Sequence, residues 1–162
     1  MHRSKGVQVA GFIGWQALSF SAAAIGGIAS ADAPEFYRQL VRPEWAPPAQ
    51  AFGPVWTVLF ALMGTSAWLV WVKAGANARP ALALFVAQLV FNALWSWCFF
   101  VWRSGAWAFA DAILLWLLVF ATMIAFLRYQ KWASVLLLPY LCWVTYAVAL
   151  TYSVWQRNPQ LL

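Results

Sequence analysis

Residues 45–60 read WAPPAQAFGPVWTVLF. Trp45 and the pair Pro47-Pro48 end one structure, and Gly53-Pro54 with the aromatic row Phe52, Trp56 and Phe60 begins another. Proline cannot continue a helix and restricts the residue before it, yet it suits a first helical turn. The segment therefore reads as the rigid end of a loop feeding a helix with one aromatic face. That helix carries no charged residue from 50 to 72. About 20 apolar residues are enough to cross the hydrocarbon core of a bilayer, so the helix is expected to lie in a membrane.

Working outward, residues 7–31, 80–102 and 132–156 are also free of charge, and 105–127 contains a single charged residue, Asp111. The pattern predicts an all-α integral membrane bundle of five transmembrane helices, forming one domain over residues 1–162, in a multi-pass protein. Composition agrees. Hydrophobic residues make up 65% of the chain and charged residues 9%, against about 25% charged in a soluble domain. A soluble protein of this size could not cover its surface with so few charges.

The net charge of +6 does not point to nucleic acid. Arg3, Lys5, Arg38, Arg42, Lys73, Arg79, Arg103, Arg128, Lys131 and Arg157 all fall at or between the ends of the expected spans. Cationic anchors meet lipid headgroups there, and no run of basic residues forms a patch. The side holding the N-terminus has six of these cations and the other side four, which tilts the N-terminus toward the cytoplasm. Cys98 and Cys142 fall inside spans and read as small apolar residues. The lone His2 does not make a metal or haem site, because such sites gather several ligands; no metal and no cofactor are expected. Arg3, Lys5, an apolar stretch and Ala29-Ser30-Ala31 imitate a secretory leader. However, 25 uncharged residues exceed an h-region of roughly 7–15, so a retained first helix is expected.

The connections are unequal. Residues 73–79, 103–104 and 128–131 make tight turns, which set helices two to five antiparallel as neighbours. Residues 32–49 are longer and contain an amphipathic piece, 34–41, together with Phe36, Tyr37, Leu40 and Trp45. Long loops in compact domains are functional or disordered. This one is too apolar for disorder and reads as a packed, lid-like loop over one end of the bundle.

Gln88, Asn92 and Ser96 share one face of the third span. An unpartnered buried amide costs roughly 1–3 kcal/mol, so these groups should face protein. They are either interhelical glue or the polar points of a cavity, and spacing leaves both open. In the fifth span, Pro139, Trp143 and Ala147 repeat the spacing of the aromatic row. Pro139 removes one backbone bond and is expected to kink the helix. Ala147 leaves room beside Trp143, which can form a slot for a flat molecule or simply pack. Trp102, Trp107, Trp132 and Trp155 lie near span ends and read as an interfacial belt. Asp111 sits little more than a turn inside its helix, within reach of headgroups or water. Ala22, Ala23, Gly26, Gly27 and Ser30 permit close helix contact within the bundle or in a dimer. Two matches to a permissive sterol motif, at Leu127-Tyr129-Lys131 and at Leu150-Tyr152-Arg157, carry little weight. No phosphate loop, metal cluster or nucleophile–base–acid set is present, and no catalytic residue is assigned on this basis.

Four segments together resemble the TspO/MBR family, relatives of the mitochondrial translocator protein. They are Arg42-Pro43-x-Trp45-x-Pro47-Pro48, Phe52-Gly53-Pro54-Val55-Trp56-Thr57-Val58-Leu59, Gln88-Leu89-Val90-Phe91-Asn92-Ala93-Leu94-Trp95-Ser96 with Phe99-Phe100, and Pro139-Tyr140-Leu141-x-Trp143. Each is short, but jointly and in order they are specific, and they extend from the first loop to Trp155. The resemblance implies a five-helix bundle, usually a homodimer, that binds porphyrins and other flat hydrophobic ligands under the first loop. Carried over by position, the ligand-lining residues would be Trp45, Pro47, Trp56, Phe60, Asn92, Trp95, Trp143 and Ala147. The chain departs from the family where Phe60 stands in place of a frequent tyrosine and where Thr151 stands in place of a frequent asparagine, which weakens a sterol site near Tyr152.

The leading expectation is a membrane receptor or carrier for porphyrins such as protoporphyrin IX, linked to tetrapyrrole regulation or stress. The alternative is light- and oxygen-dependent porphyrin breakdown, in which the resemblance implicates Trp56 and Trp143. A small proton-coupled exporter ranks last: it would need a carboxylate deep in a span, the first span has none, and Asp111 lies close to a helix end.

Overall fold

The computed structural model describes residues 4–162; His2 and Arg3 lie outside the described residues. Seven α-helices follow in order among those residues: α1 (Lys5–Ala29), α2 (Ala33–Gln39), α3 (Phe52–Ala74), α4 (Arg79–Ser96), α5 (Gly105–Leu127), α6 (Lys131–Leu136) and α7 (Leu138–Arg157). No strand occurs among the described residues.

Local sequence explains most of the boundaries. Ser4 Oγ accepts from Val7 N at the start of α1, and at its end the Ser30 hydroxyl donates to Gly26 O (2.8 Å). Proline stands in the first turn of α2, α4 and α7, where its missing N–H costs nothing. Gly75 (φ 54°) ends α3 in a conformation that a side chain would resist.

Four helical runs are long and apolar enough to cross a membrane: Lys5–Ala29, Ala49–Val101, Gly105–Leu127 and Lys131–Arg157. The second is 53 residues long, or about 80 Å at 1.5 Å per residue, more than twice the roughly 30 Å hydrocarbon core. It doubles back at the 3-10 turn Gly75–Ala78, bringing Met63 of α3 against Gln88 of α4. The chain is therefore a multi-pass integral membrane protein with five crossings.

The crossings close into a ring. α1 lies against both α3 and α4, α4 against α5, α5 against α7, and α6 against α3. The expected antiparallel order holds, but α3 and α4 meet along few residues because α1 packs beside both. Small residues permit this: a Cβ added to Gly26 would lie 3.2 Å from Ser96 Oγ.

Two details differ from the sequence reading. The last crossing breaks at Leu137 into α6 and α7, so Pro139 opens a helix instead of kinking one. Asp111 does not reach headgroups or water. It is 7% exposed, on the inner face of α5 with Ala108 and Leu115, because six residues of helix carry it inward from Gly105. Both carboxylate oxygens are buried without a hydrogen-bond partner.

The core has two parts. Met63, Phe85, Phe126 and Tyr140 pack one end of the bundle without solvent exposure. At the other end Phe36, Tyr37 and Leu40 of the α1–α3 connection pack on Cys98, Phe99, Leu150 and Val154.

Candidate functional site

Between those two packed ends lies a cavity of about 440 Å³, within the roughly 300–1,000 Å³ of small-molecule pockets. Helical spacing builds its wall. Phe52, Trp56 and Phe60 stand one turn apart on α3; Asn92, Trp95, Ser96 and Phe99 come from α4 and the π-helical turn Trp97–Val101; Trp143, Ala147, Leu150 and Thr151 come from α7. Small residues of α1 (Ala22, Ala23, Gly26 and Gly27) supply the side with least bulk. Ala33, Pro34, Tyr37 and Ala49 of the α1–α3 connection close the end.

The aromatic side chains contact one another around this space. Trp56 lies 5.5 Å from Phe60, 6.1 Å from Tyr140 and 6.4 Å from Trp143, measured between ring centres. Trp143 also meets Phe52 edge-on at 6.0 Å, and Trp95 stacks on Phe99 at 5.0 Å. Offset and edge contacts are the favoured arrangements of aromatic pairs, and together these rings make the wall apolar.

Polar groups are few and placed. Asn92 Nδ2 donates to Tyr140 Oη (2.9 Å), Tyr140 Oη donates to Gln88 Oε1 (2.8 Å), and Gln88 Nε2 points to Met63 Sδ (3.8 Å). This donor order sets the orientation of both amides. Asn92 Oδ1 is left as an acceptor without a partner in the protein, on a residue of the cavity wall. One turn along, Trp95 Nε1 is a buried donor without a partner. The polar stripe thus divides: Gln88 serves as glue, Ser96 lines the cavity, and Asn92 does both.

Six of the eight residues expected at the site line the cavity: Trp56, Phe60, Asn92, Trp95, Trp143 and Ala147. Trp45 and Pro47 do not. Trp45 is 50% exposed and edges against Tyr146 at 5.6 Å, and its carbonyl accepts from Tyr146 Oη (2.8 Å). The Pro47 carbonyl accepts from Tyr37 Oη (2.9 Å), and it is Tyr37 that faces the cavity. The loop therefore contributes through Tyr37, with Trp45 and Pro47 one layer further out. Asn158 fastens this loop to α7. Its Nδ2 donates to Val41 O (2.9 Å) and its Oδ1 accepts from Val41 N (2.8 Å). Tyr37 and Tyr140 enter the sequence reading only as a loop residue and as part of a family motif, without a site role, and Asn158 does not enter it. The Pro139-Tyr140 pair was a signal for the second; none exists for Asn158, just past the last apolar run. Near the span ends, Trp102, Trp107 and Trp132 are exposed as a belt requires, but Trp155 is partly buried and packs on Gly105.

The sequence pattern of the TspO/MBR family matches residues 15–156. The chain belongs to the TspO/MBR family. The tryptophan-rich protein TspO of Chlorobaculum tepidum is 44% identical over 76% of this chain and 80% of its own. The tryptophan-rich sensory protein of Cereibacter sphaeroides is 41% identical over 76% and 77%, and the human translocator protein is 36% identical over 76% and 75%. The matched TspO/MBR region includes every cavity-lining residue of α3, α4 and α7 named above.

Proposed function

We propose that this protein binds porphyrins, such as protoporphyrin IX, and other flat apolar molecules inside the membrane, acting as a receptor or carrier in tetrapyrrole regulation or stress. The observation carrying the reading is the cavity itself: aromatic rings from α3, α4 and α7 around about 440 Å³, with the Asn92 amide as a polar point on its wall. A porphyrin offers complementary chemistry, with a flat π-face to stack and pyrrole nitrogens to exchange hydrogen bonds. Trp56, Phe60, Trp143 and Ala147 form the slot and Asn92 gives direction. Trp45 and Pro47 belong to the ligand set by family resemblance and act through Tyr146 and Tyr37. The residues 32–49 serve as the lid, and the working unit is a homodimer, also by family resemblance. The name of the Cereibacter sphaeroides relative, a sensory protein, favours a sensing role.

Titrating protoporphyrin IX into the protein in lipid nanodiscs, read by tryptophan quenching, tests this. Trp143→Phe and Asn92→Ala should each weaken binding about five- to tenfold, the equivalent of about 1–1.4 kcal/mol for a lost hydrogen bond or ring contact. Unchanged affinity in both variants removes the proposed site.

One observation favours a second reading, breakdown of the porphyrin with light and oxygen: Trp56 and Trp143 touch each other and line the same cavity. The same samples, illuminated in air, decide it. A new bilin-like absorbance that disappears in Trp56→Phe and Trp143→Phe supports catalysis, and its absence in the parent protein leaves binding alone.

A further inference from the structure

We propose that the cavity takes its ligand sideways from the bilayer, through a slot between α1 and α3 whose mouth is the facing pair Gly27 and Gly53. The proposal rests on the binding reading above only for the identity of the natural ligand.

α1 and α3 are zipped together along most of their length. Trp68 Nε1 donates to Gln8 O (2.9 Å); Gly11 lies under the Trp71 ring, with an added Cβ reaching within 2.2 Å of it; Gln16 Nε2 donates to Ala61 O and Thr65 Oγ1 (3.0 Å each); Ser19 Oγ donates to Phe60 O (2.8 Å). The last contact is the Phe20–Phe60 ring pair at 6.1 Å. From Gln16 onward the number on α1 rises as that on α3 falls. Three and seven residues further, the register sets Ala23 opposite Thr57 and Gly27 opposite Gly53. All four line the cavity, and Gly27, Gly53 and Thr57 are exposed.

The zip stops because there is nothing left to close it. A Cβ at Gly27 or Gly53 meets no atom within 4 Å, whereas at Gly11 and Gly64 it would collide with the neighbouring helix. Neither Gly27 nor Gly53 has a positive φ, so the backbone does not demand glycine at either position. What glycine supplies is open space. Thr57 flanks the gap with its hydroxyl already donated to Gly53 O (2.9 Å), so that donor is satisfied within the helix.

The two ends of the cavity are obstructed. The water-side end is covered by a loop held at Val41 by Asn158 and at Trp45 by Tyr146. The opposite end is solid core around Met63, Phe85 and Tyr140. The slot runs from Gly27–Gly53, near the helix ends, about 10 Å inward to Phe20–Phe60 at 1.5 Å per residue. A flat amphiphile can slide into such a slot edge-first while its polar groups stay at the headgroups.

The test measures binding rates in nanodiscs by stopped flow. It uses protoporphyrin IX and, separately, pyrene (a flat hydrocarbon with no polar atoms), both read through tryptophan emission. The variant is Gly27→Leu with Gly53→Leu; the control is Gly14→Leu, exposed on α1 and also without an atom within 4 Å of an added Cβ. Because glycine disfavours helix, these changes should not unfold α1 or α3, and thermal melting verifies that. The double variant is expected to slow association and dissociation of both probes at least tenfold, with the control unaffected. Parental rates in the double variant, equal slowing in the control, or failure of both probes to reach the cavity of the parent protein overturns the slot. Pyrene slowed by the double variant, with no protoporphyrin binding to the parent protein, keeps the slot and removes the porphyrin reading. Tight protoporphyrin binding with parental rates in the double variant does the reverse.

Discussion

Tyr140 shows what a single residue decides here. It is wholly buried, and its hydroxyl bridges Asn92 of α4 and Gln88 one turn away. Tyr140→Phe keeps the ring and removes that link, leaving an amide donor and an amide acceptor unpaired in a buried setting. A stability loss of about 2 kcal/mol is expected, read by thermal or denaturant unfolding in detergent. Ligand affinity should fall with it, since Asn92 loses the bond that aims its Oδ1. A fully stable Tyr140→Phe would show that the amides find other partners. The sequence made Gln88 and Asn92 visible, because residues four apart share a helix face. It could not reveal Tyr140 as their partner: the two meet across 48 residues of chain, and periodicity within one helix contains no information about the next. The same limit hid the burial of Asp111, which depends on what stands against α5.

At the scale of elements, the loop between α1 and α3 behaves as a fastened part of the bundle. Asn158 makes three bonds, two to Val41 and one to Val154 O (2.7 Å). Asn158→Ala removes all three. Amide exchange across residues 32–49 is expected to quicken tenfold or more while the crossings α3 to α5 stay protected. Unaltered exchange would mean that the aromatic contacts alone, such as Tyr37 on Phe52 (5.6 Å) and Arg42 over the Tyr37 ring (4.5 Å), hold the loop down. The apolar residues of the loop were enough to expect packing. Its anchor lay beyond the last crossing, where no hydrophobic pattern points. Pro139 illustrates a related limit. Proline in an apolar run means either a kink or a new first turn, and only the break at Leu137 separates the two.

For the whole molecule, the five crossings form a ring that is solid at one end and roofed at the other, with the cavity between. A helix of such a ring must show an apolar face to lipid, and α1 does so with Val9, Ile13, Ile25 and Ile28. In the proposed homodimer, part of such a surface meets a second copy. Native mass spectrometry from mild detergent should then give a species with twice the mass of one chain. A single-chain mass at every protein concentration tested would exclude a stable dimer.

The sequence by itself determined the class of this protein, its five crossings, the helical start after Pro48 and the aromatic face of α3. Those follow from hydropathy, charge placement and helical spacing, which are properties of short stretches of chain. Tertiary structure decided the rest: Trp45 and Pro47 stand one layer outside the cavity, Asn92 is aimed by Tyr140, Asp111 is interior, and Gly27 and Gly53 come to line one cavity. Each of these depends on which side chains meet across helices far apart in sequence, and that is set by the register and packing of the whole ring.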